Sequence, residues 1–175
     1  MALDKLVISW YVLHTKSRFE NVVTNALAKK STEAFLPKIQ VKSKRRDRNI
    51  MIRVPLFPGY IFVQSDLRPE HHIEILKTAG AVRLIGSKDG PVSVPLETIE
   101  SLKIMTQTDH PVTTGNQFKR GDKVIVVRGP FTGVTGNFER YRGLSRVVVN
   151  IEALGQFACV DVNEDDIEKL PKIFS

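Results

Sequence analysis

The chain has a single cysteine, Cys159, among its 175 residues. An internal disulfide is thereby excluded, and a reducing, cytoplasmic setting is expected. Cys159 stands in an apolar strand-like run and reads as a small core residue rather than a nucleophile. No apolar run approaches the ~20 residues of a membrane span, so no membrane partner is expected. The opening MALDKLVISW has neither a long apolar region nor a small-residue cleavage site, so no secretory signal is expected. A phosphate loop of the GxxxxGKS or GxxxxGKT kind is missing. Gly129-Pro130-Phe131 ahead of Gly133 lies between strand-like runs, not before a helix, and reads as a turn. His71-His72 with Glu74 lacks metal-ligand spacing, because adjacent residues diverge on a helix and no third ligand is near. Asp161, Glu164, Asp165, Asp166 and Glu168 could attract Mg2+, but exposed edge and turn residues that oppose aggregation are the favoured reading. No catalytic residue, metal or cofactor is called, and enzymatic function is not expected.

What is present begins with charge. The net charge is +7, and its distribution is uneven. Residues 1–106 hold 17 Lys+Arg against 10 Asp+Glu, whereas 107–175 hold 9 of each. Any bulk attraction to nucleic acid therefore belongs to the first part. Apolar residues make up 42%, enough for a real core in one domain or two small ones.

The first part alternates strand and helix patterns. Leu6 to Leu13 reads as a strand. Ser17 stands three residues before Glu20, the spacing of a capping box. Phe19, Val22, Val23, Ala26 and Leu27 then form one helical face, which Lys29 and Lys30 close favourably for the dipole. Ala34 to Val41 and Ile50 to Val54 read as strands around a basic turn. Pro69 to Thr78 and Pro95 to Met105 read as helices, with a strand from Ala81 to Ile85 between them. The polar, aperiodic stretch TQTDHPVTTGNQ follows. After it come short strands alone, at Lys123–Val127, Val134–Tyr141, Arg146–Ile151 and Phe157–Val162, with glycines between them. The expected architecture is an α+β domain at 1–106, an antiparallel sheet flanked by helices. A flexible linker at 107–117 and a small SH3-like β-barrel at 118–175 follow.

Two stretches carry candidate chemistry. Five of the seven residues at 42–48 are basic: Lys42, Lys44, Arg45, Arg46 and Arg48. A hairpin tip with that charge can reach a phosphate backbone without reading sequence, or can simply solubilise a loop. Lys16 and Arg18 add to it. Lys16 opposes the helix dipole at the first helix's start, which favours an external anion. The second stretch is Val54-Pro55-Leu56-Phe57-Pro58-Gly59-Tyr60-Ile61-Phe62-Val63. Its prolines hold the chain at a strand entrance. Alternation then puts Tyr60 and Phe62 on one face and Ile61 and Val63 on the other. One face serves the core. The other is either a rigid aromatic anchor for a protein partner or a second core face under helices.

With these residues on the page, the chain resembles the NusG family of transcription elongation factors over nearly its whole length. Trp10-Tyr11-Val12-Leu13, the helix near Phe19-Glu20, Pro55 to Val63, and Val82-Arg83-Leu84-Ile85-Gly86 resemble that family's N-terminal domain. Phe118-Lys119-Arg120-Gly121-Asp122-Lys123-Val124 with Gly129-Pro130-Phe131-Thr132-Gly133 and Gly136 resembles the KOW motif. The resemblance implies an N-terminal domain that binds the β′ clamp helices of RNA polymerase and bridges to the β side of the cleft, suppressing pausing or termination. It implies a hydrophobic pocket of Phe57, Tyr60 and Phe62, bordered by Val12, His14 and Ile85. Lys16, Arg18, Lys42, Lys44, Arg45, Arg46 and Arg48 would face upstream or non-template DNA. The KOW domain, neutral in charge, would dock a ribosomal small-subunit protein or the termination factor Rho through Phe131 and Leu154. Leu154 could equally fold back on the barrel. Val54 to Pro58 and Phe35-Leu36-Pro37 resemble the specialised RfaH-type paralogues, although His71-His72-Ile73 stands where those carry a His-Thr-Thr run. Unlike RfaH, the β-branched run Val147-Val148-Val149-Asn150-Ile151 predicts a C-terminal domain that is always a barrel and leaves the pocket unmasked. A monomer is expected. The alternative from another class is an RNA-binding ribosomal-type KOW protein, which would need a basic barrel. A nucleic-acid-processing enzyme would need carboxylates or histidines clustered in the basic domain.

Overall fold

The structure is a computed structural model and describes residues 7–45, 49–116 and 121–170. In chain order the first elements are β1 (Ser9–Thr15), α1 (Glu20–Lys29), β2 (Ala34–Phe35), β3 (Lys38–Lys42), β4 (Met51–Pro55), β5 (Tyr60–Ser65) and α2 (Pro69–Leu76). Then come β6 (Ala81–Leu84), β7 (Gly86–Ser87), β8 (Gly90–Pro91), β9 (Ser93–Val94) and α3 (Leu96–Thr106). The remainder is β10 (Thr113–Asn116), β11 (Lys123–Val126), β12 (Thr135–Tyr141), β13 (Leu144–Ile151), β14 (Gln156–Asp161) and β15 (Ile167–Lys169). By compactness the chain divides into one unit of residues 1–38 and 53–96 and a second of 39–52 and 97–175.

The first unit is built on an antiparallel sheet in the order β2-β5-β1-β6, with β9 also pairing β1. The β1–β5 ladder runs from Ser9↔Ser65 to His14↔Tyr60. That register puts Tyr11, Leu13, Ile61 and Val63 on one face, where they pack with Val23 and Leu27 of α1 and Ile75 of α2. Each such buried aliphatic side chain contributes about 1.5–3 kcal/mol.

Several expected boundaries move for physical reasons. β1 continues to Thr15 because its ladder and the Thr15 N–H bond to Gly59 O (2.8 Å) extend it; Leu6 lies outside the described residues. The capping box does not form. α1 begins at Glu20, with Phe19 at its N-cap and no side-chain cap. The Glu20 carboxylate, 6% exposed, instead accepts a hydrogen bond from the Gly59 N–H at 2.8 Å. Of the predicted apolar helix face, Val23 and Leu27 are buried while Phe19 and Val22 are 39% and 49% exposed. The strand expected at 34–41 splits into β2 and β3, because Pro37 between them offers its carbonyl to the Leu56 N–H at 2.8 Å.

The second unit contains a six-stranded antiparallel sheet in the order β10-β14-β13-β12-β11-β15. This is the expected β-rich module, with Val126, Val134, Val147, Val149 and Val160 buried in it. Gly136 is required on β12: a Cβ there would stand 2.3 Å from Val148 O. Two features depart from the expected division. α3, expected in the first domain, falls in the second unit, where buried Ser101 accepts from the Thr135 N–H at 3.0 Å. The stretch expected as a flexible linker ends in β10, paired with β14 from Thr113↔Cys159 to Asn116↔Gln156.

Candidate functional site

The proline-glycine stretch is a turn that aims β5. Tyr60 N–H bonds Phe57 O at 3.1 Å, and Gly59 sits at φ +84°. A Cβ on Gly59 would meet nothing closer than 3.9 Å, so the glycine is needed for its backbone conformation rather than for space. Its N–H goes to Glu20 and its carbonyl receives the Thr15 N–H, which ties α1, β1 and β5 at one corner.

From that corner the second face of the sheet becomes aromatic. His14 stacks on Tyr60 with ring centroids 5.1 Å apart. Phe62 stacks on Phe35 at 6.0 Å and meets Phe57 edge-on at 6.4 Å. Val12 stands opposite Phe62 in the ladder, and the Ile85 N–H bonds Val12 O at 2.8 Å. The six residues expected to form a pocket are thus brought together on and around β1 and β5. They do not form an open pocket. Val12, Phe57 and Phe62 are 0%, 1% and 0% exposed, and only His14, Tyr60 and Ile85 are half-buried. Three of the six are core residues here, because the sheet is apolar on both sides and unpaired apolar surface is costly in water.

Among the basic candidates, Lys16, Arg18, Lys42, Lys44 and Arg45 are all exposed. Arg46 and Arg48 lie outside the described residues. The Ser43 N–H to Ile50 O bond (2.9 Å) closes the β3–β4 hairpin. Ile50, Met51 and Ile52 are exposed on it too, so the hairpin combines apolar and cationic surface. Arg18 holds a left-handed conformation at φ +67° in the turn before α1.

In the second unit, Phe131 is 4% exposed and meets His110 edge-on at 5.6 Å. Both line a cavity of 330 Å3 with Val126, Leu144 and Val162. Sequence reasoning missed His110, which sits in the supposed linker with no periodic signal around it. Leu154 is half-buried in a 3-10 turn (Glu152–Leu154) that ends at Gly155, φ +60°. The acidic residues nearby are engaged by arginines: Asp161 by Arg146 at 3.1 Å, and Glu164 by Arg140. His71 pairs through Nδ1 with Asp66 at 2.6 Å. The Arg68 N–H and then His71 hold the Asp66 carboxyl below the ordinary aspartate range. Burial pushes the Cys159 thiol up. Among the described residues, no group of three or more His, Cys, Asp or Glu comes together to hold a metal ion.

A sheet with an aromatic second face, a cationic hairpin and an antiparallel β module define a binding protein. A family model described as "Transcription termination factor nusG" matches residues 8–103. Relatives named transcription termination/antitermination protein NusG include that of Bacillus subtilis, 28% identical over 93% of this chain and 98% of its own length. That of Rickettsia felis is 25% identical over 95% and 92%. That of Thermus thermophilus is 30% identical over 82% and 90%. A solved Thermotoga maritima NusG structure shares the fold at a TM-score of 0.53 and 22% identity, covering 95% of this chain and 99% of that one. The chain belongs to the NusG family of transcription termination and antitermination factors, and it is not an enzyme. Among the described residues no helix is long and apolar enough to cross a membrane.

Proposed function

We propose that this factor binds RNA polymerase through the aromatic face of its first sheet, on the β′ clamp helices, and bridges to the β side of the cleft. A ligand that prefers the closed clamp shifts the population towards the processive state, which suppresses pausing or termination. The observation that carries this reading is the cluster of His14–Tyr60 and Phe35–Phe62–Phe57 ring pairs, set by the Gly59 corner. Because Val12, Phe57 and Phe62 are buried, the partner meets His14, Tyr60 and Ile85 first. Lys16, Arg18 and the hairpin residues Lys42, Lys44 and Arg45 lie exposed for upstream or non-template DNA. The second unit docks a ribosomal small-subunit protein or Rho, with Leu154 as a contact. Buried Phe131 acts by shaping the docking surface. The resemblance of residues 54–58 to specialised paralogues supports recruitment to particular operons.

The test is single-round transcription by purified RNA polymerase on a template with a known pause. The wild type is expected to change the pause lifetime, and His14→Ala/Tyr60→Ala to lose that effect while keeping its circular dichroism. Unchanged elongation with wild type, without polymerase binding, defeats the reading. A second reading, RNA binding by the β module, draws on exposed Tyr141, flanked by Arg142 (5.1 Å) and Arg146 (4.7 Å). It is the weaker one, since Arg140 and Arg146 are already paired with carboxylates.

A further inference from the structure

β10 is an unusual member of its sheet. Its sequence, Thr-Thr-Gly-Asn, contains two residue types that strands disfavour. Thr113 and Thr114 are exposed and Gly115 is half-buried, so these residues add nothing to the core. The five strands β14-β13-β12-β11-β15 carry the buried valines without it. β10 is held through its four-residue ladder to β14 and by one fitted contact. A Cβ on Gly115 would stand 2.7 Å from the Phe157 ring, so the ring lies directly over the glycine. Edge backbone groups paired in this way can exchange one strand for another with little net change in hydrogen bonding. Removing β10 would free the edge of β14 and the face of Phe157. Leu154, in the 3-10 turn that Gly155 caps, lies two residues before β14.

We propose that the edge of β14 is a strand-acceptor site for an extended segment of a partner protein. β10 is the strap that covers this edge until the partner's strand replaces it. The proposal rests on the reading that the second unit docks a protein, and it adds how that docking is gated. The incoming segment pairs antiparallel to β14 over residues 156–159, with an apolar side chain where Gly115 now lies beneath Phe157.

The chain's single cysteine supplies a lock. Thr113 is the cross-strand partner of Cys159, and such pairs fall within the Cα separation that a disulfide spans. Thr113→Cys, oxidised in the full chain, ties the strap down, and reduction releases it. Gly115→Ala works in the opposite sense, because its methyl group collides with the Phe157 ring. Two readouts are compared, native-state hydrogen exchange and binding to purified 30S ribosomal subunits. In wild type, the β14 amides facing β10 are expected to exchange at least tenfold faster than those between β13 and β12. Gly115→Ala should speed them further, and the disulfide should slow them to the β13 class. Binding to 30S subunits should fall at least tenfold in the oxidised form and return on reduction. If the β10–β14 amides exchange with the slowest class in wild type, β10 is integral to the sheet and the strap is overturned. If the locked and reduced forms bind 30S subunits equally, the strap is overturned while docking stands. If no form binds, wild type included, docking to the ribosomal small subunit fails and the acceptor site with it.

Discussion

The Glu20–Gly59 hydrogen bond offers the sharpest test of how the first unit is held. Glu20 is the first residue of α1, and its buried carboxylate accepts the Gly59 N–H at 2.8 Å from 39 residues away. Glu20→Ala would leave that N–H without an acceptor and remove an anion from the positive end of the helix. Losing a hydrogen bond to a charged group costs about 1.5–3 kcal/mol, and the lost dipole interaction adds roughly 0.3–1 kcal/mol. Glu20→Gln keeps an oxygen in place and gives up only the charge, so its cost should be about 1 kcal/mol. Urea unfolding followed by Trp10, the only tryptophan and 3% exposed on β1, reads this unit directly. The expected order of midpoints is wild type above Glu20→Gln above Glu20→Ala, with unchanged slopes. In thermal unfolding, Glu20→Ala should melt about 4–16 °C lower, at roughly 2–4 °C per kcal/mol for a chain of this size. The reasoning is refuted if Glu20→Ala matches wild type, or if Glu20→Gln is as damaging as Glu20→Ala. Either result would mean that the Gly59 N–H finds another acceptor or that the charge alone matters.

Other predictions bear on the second unit, the hairpin and pH. Gly136→Ala should disrupt the β12–β13 pairing and lower stability by at least 1–3 kcal/mol as an overpacking change. The reason is the 2.3 Å approach of its methyl to Val148 O, and thermal unfolding by circular dichroism checks it. Replacing Lys42, Lys44 and Arg45 by alanine should weaken binding to duplex DNA and flatten the log K against log salt slope by about 2–3, at ~0.9 per phosphate contact. An unchanged slope removes the hairpin from the DNA reading. Asp66 has its carboxyl held low in the folded state. Its contribution is therefore present above the ordinary aspartate range and lost as pH falls through the depressed value. Asp66→Asn should lower stability at neutral pH and flatten the acid limb of the stability curve below about pH 4, so that variant and wild type converge at low pH.

Much of this was legible in the sequence, and the misses have a common cause. Local patterns placed α1, α2, α3 and four strands of the β module, β11 to β14, within a few residues, because alternation and helical spacing are local properties. β15 (Ile167–Lys169) was missed, being three residues long and paired only through β11. The aromatic face was also readable, since strand alternation alone puts Tyr60 and Phe62 together. Ser17 and Glu20 had the right spacing for a cap, yet the carboxylate found a partner 39 residues away that no local pattern announces. The linker looked unstructured because the Gly and Asn of Thr-Thr-Gly-Asn are disfavoured in strands and the stretch around them is polar. β14 supplied the ladder that made it a strand. His110 gained meaning only when it came to rest on Phe131.

The sequence by itself determined the order of the α+β and β-rich parts, the concentration of positive charge in residues 1–106, the strand entrance at Pro55–Gly59 and the family. All of these follow from residue type and spacing along the chain. Tertiary structure decided which apolar residues are surface and which are core, as the burial of Val12, Phe57 and Phe62 shows. It also decided where Glu20 finds its donor and which strand occupies the edge of β14. Burial and hydrogen-bond pairing are relations between residues distant in sequence, and only the folded chain brings them to one place.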